Sequence, residues 1–69
     1  MKKTYKLKNL DCANCAAKMG EKISTLPGVQ AKVNFMLAKL TVEAEADVQP
    51  DKKVLQEIIS TIESDCEIL

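Results

Sequence analysis

Asp11-Cys12-Ala13-Asn14-Cys15 places two thiols two residues apart, directly after a carboxylate. At the start of a helix such a pair can converge on one soft cation or form one reversible disulfide. A cuprous ion is satisfied by two thiolates. A divalent zinc or cadmium ion prefers four ligands, accepts carboxylate oxygen and gains from a third negative charge, which Asp11 supplies. Asp11 also has a plainer reading as the helix N-cap. Cys15, at the helix N-terminus, is expected to have its thiolate stabilised by unpaired N–H groups and the helix dipole.

The chain has a third cysteine, Cys66, and no histidine. A closed structural zinc site therefore lacks its full ligand set unless Cys66 completes it. Free cysteine is also a common small core residue, so packing and ligation both stand as readings of Cys66. The thioethers of Met19 and Met36 invite a copper reading, but Met19 lies on an apolar helical stripe and Met36 beside a turn, where packing accounts for them. Glu63, Asp65 and Glu67 read either as a solvated end or as acceptors surrounding the site. A thioredoxin-like redox role is disfavoured by the short chain, the absence of Pro or Gly between the thiols and the lack of a parallel βαβ start.

The scaffold for these residues is small. Sixty-nine residues make one domain, spanning 1–69, too short for a deep cleft, so a surface site is expected. One Tyr, one Phe and no Trp imply an aliphatic core. Ten basic and ten acidic residues cancel, so no overall field favours nucleic acid or a membrane surface. Lys2, Lys3, Lys6 and Lys8 read as the solvated face of a strand. The chain contains no signal-peptide h-region and no apolar run of transmembrane length. An odd cysteine count with one close pair does not fit a secreted disulfide scaffold, and the expected compartment is the reducing cytosol.

Thr4 to Leu10 alternates as a half-buried strand with Tyr5 and Leu7 inward and Leu10 as the last anchor beneath the loop. Ala16, Met19, Ile23 and Leu26 recur at helical spacing, predicting a helix from Ala13 to Leu26 that Pro27-Gly28 stops. Val29 to Phe35, with Ala31, Val33 and Phe35 inward, and Leu40 to Ala44, with Leu40, Val42 and Ala44 inward, predict a hairpin without an Asn-Gly or Asp-Gly turn. Pro50 suits the first position of a second helix running to about Glu63, with Val54, Ile58 and Ile62 in one row and Leu55 and Ile59 in the next. Cys66 to Leu69 is read as a closing strand. The order is βαββαβ, an α+β ferredoxin-like arrangement with both helices on one face of a four-stranded antiparallel sheet. Right-handed crossovers then bring Cys66 and its acidic neighbours towards Cys12 and Cys15.

Leu10-Asp11-Cys12-Ala13-Asn14-Cys15-Ala16, the Leu26-Pro27-Gly28-Val29 helix exit and Val33-Asn34-Phe35 resemble the heavy-metal-associated domain over the whole chain. That family includes soluble copper and mercury carriers and the N-terminal domains of metal-exporting P-type ATPases. Its copper and mercury members read Gly-Met-Thr/Ser-Cys-x-x-Cys; an aspartate before the first cysteine resembles the zinc, cadmium and lead exporters. The resemblance implies a metal set drawn from Asp11, Cys12, Cys15 and Cys66, with Zn2+, Cd2+ or Pb2+ as cargo and Cu+ as runner-up. In the family the loop before the last strand approaches the metal and often carries Tyr, Phe or Lys. Cys66 at that place is a departure that favours a three-thiolate ion such as cadmium or lead.

The implied role is delivery by ligand exchange, without catalysis by the domain itself, within an ATP-driven pump at the cytosolic face of a membrane. Its partners would be the pump's transmembrane metal site or its other domains, with no nucleic acid and no membrane contact by the domain. A monomer is expected, with a metal-bridged dimer as the variant. A free-standing metallochaperone and a thiol-disulfide oxidoreductase are the alternatives.

Overall fold

A computed structural model describes residues 1–69. The elements run β1 (Lys2–Lys8), α1 (Ala13–Ile23), β2 (Val29–Asn34), β3 (Lys39–Ala44), α2 (Lys52–Ile62) and β4 (Glu67–Ile68). They form the expected antiparallel sheet in the order β2-β3-β1-β4, with β1 paired to both β3 and β4. Period-two burial puts Leu7, Val29, Leu40, Val42, Ala44 and Ile68 on the face covered by Met19, Ile23, Leu55 and Ile59 of the two helices. Met19, Ile23, Leu40, Leu55 and Ile59 lose all their exposure, each contributing roughly 2 kcal/mol of transfer free energy.

Strand β1 starts earlier than the alternation suggests, because Lys2 and Lys3 pair with Glu43 and Val42. It also stops earlier. Asn9 adopts φ 62°, a left-handed conformation that Asn tolerates better than most residues and that no strand continues through. Leu10 is therefore outside the strand, yet half-buried against the core as expected.

Helix α1 ends at Ile23 instead of Leu26, and its exit is closed by shorter-range bonds from Thr25 N–H to Lys22 O and Leu26 N–H to Ile23 O. Gly28 then takes φ 75°, the role expected of it. In the β2–β3 turn the Asn34 side chain accepts from Leu37 N–H at 3.0 Å and Ala38 takes φ 51°. A side-chain acceptor thus does what an Asn-Gly pair does elsewhere. Phe35, expected inward, falls in this turn and is 39% exposed.

Pro50 is not the first helical residue. Asp51 is the N-cap, its carboxylate accepting from Val54 N–H at 3.0 Å, and a carboxylate cap of this kind outcompetes the fixed φ of proline as the start signal. Pro50 lies one residue outside, and Val54 is exposed while Leu55 and Ile59 form the buried row. Cys66 precedes β4 instead of opening it.

Candidate metal centre

The β1–α1 loop is held at both of its ends by the α2–β4 corner. Asn9 Nδ2 donates to the Asp65 carbonyl at 3.2 Å, and Asp11 N–H donates to Glu63 Oε2 at 3.3 Å. The crossovers thus bring the two acidic and cysteine-bearing segments together, as the element order implied.

Cys12, not Asp11, caps helix α1. Its Sγ accepts from Cys15 N–H at 3.1 Å, and its carbonyl accepts from Ala16 N–H. This reverses the expectation for the two thiols. The Cys15 side chain and then the Cys15 N–H, both directed at the Cys12 sulfur, hold the Cys12 thiol below its ordinary range. Cys15 is raised, first by giving its own hydrogen bond to Cys12 and then by desolvation. The N-terminal N–H groups of the helix serve the residue outside its first turn, because only that residue's side chain can point back at them.

Asp11 is exposed, and Cys12 and Cys15 are half-buried. Cys66 has no exposed surface and belongs to the core cluster beneath them. Its carbonyl accepts from Gln56 Nε2 at 2.9 Å, while Gln56 Oε1 accepts from Ile68 N–H at 2.8 Å. One amide on α2 therefore fixes both ends of the short closing strand. Burial is the main cause that pushes the Cys66 thiol up, followed by the charges of Glu63, Asp11 and Glu67. All four expected site residues share one corner. They are not gathered into a preformed cage, since no three or more Cys, Asp or Glu side chains stand together as a ligand cluster.

The residue that sequence reasoning undervalued is Glu63. Its Oε1 is buried without a hydrogen-bond partner while Oε2 holds Asp11 N–H. Its charge helps raise Cys66 and Cys15 and opposes, without overcoming, the lowering of Cys12. The signal lay in its position: Glu63 is the C-cap of α2, where a carboxylate opposes the helix dipole and so costs stability. A buried carboxylate oxygen without a partner, on a side chain already tied to the thiol loop, is a ready acceptor for a cation.

The fold and this cysteine-bearing corner define a class of small ferredoxin-like domain, and the family follows from the sequence match. The heavy-metal-associated domain model matches residues 4–66, and the chain belongs to that family. A probable cadmium-transporting ATPase of Staphylococcus aureus (strain MRSA252) is 43% identical over 53 residues, covering 75% of this chain. A probable cadmium-transporting ATPase of Listeria monocytogenes is 43% identical over 49 residues, covering 70% of it. The chain spans only 7% of the length of either relative. Among solved structures, a CopZ metallochaperone superposes with a TM-score of 0.76 at 14% identity, over 100% of both chains. The N-terminal domain of a potential copper-translocating P-type ATPase from Bacillus subtilis, in its Cu(I)-loaded state, gives 0.76 at 25% identity over 97% of this chain and 81% of that one.

Proposed function

We propose that this chain binds one soft divalent ion, with cadmium first and zinc or lead as related cargo, through Cys12 and Cys15 and the carboxylates of Asp11 and Glu63. It passes the ion on by ligand exchange, as the cytosolic metal-binding segment of a metal-exporting P-type ATPase. The observation that carries this reading is the Glu63 carboxylate, one oxygen tied to the thiol loop and the other unpartnered. Two thiols alone would suit a cuprous ion, whereas thiols with anionic oxygen suit a divalent one. The similarity to probable cadmium-transporting ATPases supports the same choice.

The thiols divide the work. Cys12 loses its proton more readily and is the entry ligand; Cys15 keeps its proton until an incoming ion displaces it. Partial exposure of both residues lets a partner's thiolate join before either leaves, so the ion crosses through shared intermediates without being released. Cys66 stays in the core as a neutral thiol.

Cadmium titration of the Cys12→Ser/Cys15→Ser variant, monitored by calorimetry, is the direct test. Tight one-to-one binding is expected in the wild type and its loss in the variant; undiminished binding would overturn the assignment. Rapid reduction of a test disulfide, unaffected by bound cadmium, would favour the oxidoreductase reading instead.

A further inference from the structure

The net charge of zero conceals a segregated surface. On the sheet face away from the helices, Lys6 stands directly opposite Lys39. Asn34 is the partner of Lys39 on the other side, which puts Lys32 diagonally across from it. Lys8 follows two residues along β1, with Glu67 opposite. Like charges placed directly across a ladder oppose pairing. That half of the sheet accordingly carries four lysines against one glutamate, while Asp11, Glu63 and Asp65 belong to the two bonded loops at the same end.

The β2–β3 turn projects from this basic half. Met36 is 89% exposed, Leu37 60% and Phe35 39%. Three consecutive large apolar residues at a convex tip cannot cover one another. The turn is at the metal-loop end of the sheet, because the Ala38 carbonyl accepts from Leu7 N–H at 2.8 Å near the end of β1.

We propose that the lysine-rich sheet face and the Phe35–Leu37 tip together dock this chain on an anionic lipid surface. This goes beyond the metal-carrying role and reverses the expectation of no membrane contact, which rested on net charge. No helix is long and apolar enough to cross a membrane, so the contact is peripheral. Apolar side chains on a convex tip sink to the acyl boundary while the lysines behind them stay among the headgroups. A protein partner would need a pocket shaped to the tip; a lipid headgroup layer needs none. Charge complementarity selects the anionic leaflet, where each lysine is worth about fivefold in binding. Docked by its open sheet face, the chain keeps its two helices turned away from the headgroups, with the Cys12–Cys15 loop at the same end of the sheet as the tip.

The test is metal-free cosedimentation with phosphatidylcholine vesicles and with equal mixtures of phosphatidylcholine and phosphatidylglycerol, at low and high salt. Binding to the anionic vesicles alone is expected, weakened at least tenfold by salt, by Lys6→Glu/Lys39→Glu and by Met36→Ser/Leu37→Ser. All four side chains are exposed, and circular dichroism verifies that the variants fold. Because the chain lacks Trp, Met36→Trp supplies a single fluorophore whose emission should move to the blue on anionic vesicles. Absence of binding overturns the proposal. So does binding that needs the lysines but not the tip, with Met36→Trp unshifted, since that pattern is charge attraction an acidic protein would equally provide.

Discussion

The Asp11 N–H bonds to Glu63 Oε2 across 52 residues of sequence, so the loop carrying the thiols is tied to the end of the second helix. Whatever changes the charge on Glu63 is felt by Cys12, Cys15 and Cys66. Glu63→Gln keeps an acceptor for Asp11 N–H and removes the charge. Cadmium affinity is expected to fall by about tenfold or more, the scale of losing a supporting or ligating carboxylate. In the metal-free protein the same variant should lower the pKa of each of the three thiols, seen as faster alkylation of the two accessible ones near neutral pH. Unchanged cadmium affinity would remove Glu63 from the site.

Proton competition should give cadmium binding a stepped pH dependence. Below the pKa of Cys12 both site thiols are protonated, and two protons leave per ion bound. Above it, one leaves; once Cys15 also ionises, none does. Affinity therefore rises with pH at a slope that falls from two to one, and levels off once both thiols are ionised. Because Cys12 is held low and Cys15 high, the one-proton region should be wider than for two ordinary thiols. Proton release measured by calorimetry in buffers of different ionisation enthalpy reads the slope directly. A single two-proton step would contradict the division of labour between the thiols.

Metal choice is tested at Asp11. Its carboxylate is exposed beside the Cys12 cap, free to meet an ion, and does not serve as the cap itself. Asp11→Ala should weaken divalent cadmium and zinc more than cuprous ion, since only the former use anionic oxygen. Equal losses for all three would reduce Asp11 to a source of general charge.

The element order, the hairpin and the meeting of the two corner loops were legible because they depend on periodicity, on Pro27-Gly28 and on the handedness of crossovers. Cys12 and Cys15 stood out as candidates because two thiols at that spacing have few other uses. Its electrostatics were not. Which residue caps α1 depends on where Sγ of Cys12 points relative to Cys15 N–H, and side-chain direction leaves no mark in the spacing. Pro50 misled for a similar reason: Asp51 one place later accepts from Val54 N–H, and the two start signals differ by a single residue. Glu63 was hidden by its neighbours Asp65 and Glu67, since three acids near a terminus look alike until one of them is seen with an orphaned oxygen.

Burial of Cys66 has a consequence for stability. In the unfolded chain this thiol ionises at its ordinary pKa; in the folded core that pKa is raised, chiefly by desolvation. The folded state therefore gains from the neutral thiol below the unfolded pKa, and this contribution is lost as pH rises through the folded one. Urea midpoints should fall as pH increases from neutral into the alkaline range. Cys66→Ala should flatten this dependence, at a cost of about 1 kcal/mol near neutral pH for the small cavity. An identical alkaline loss in the variant would place the cause elsewhere.

The same residue decides how many sulfurs meet cadmium. To become a third ligand, Cys66 must leave a site with no solvent exposure, while its carbonyl is held by Gln56 and its N–H by the Glu63 carbonyl at 3.1 Å. Its thiol must also ionise against desolvation and the charges of Glu63, Asp11 and Glu67. Glu63 is already tied to the thiol loop through Oε2, and its other oxygen lacks a partner. Cadmium–thiolate charge-transfer absorbance scales with the number of bound sulfurs, and it should be equal per ion in the wild type and in Cys66→Ser, with affinity unchanged. A drop of about one third in Cys66→Ser, together with weaker cadmium binding, would return Cys66 to the ligand set and make the departure of its side chain from the core a step in metal loading.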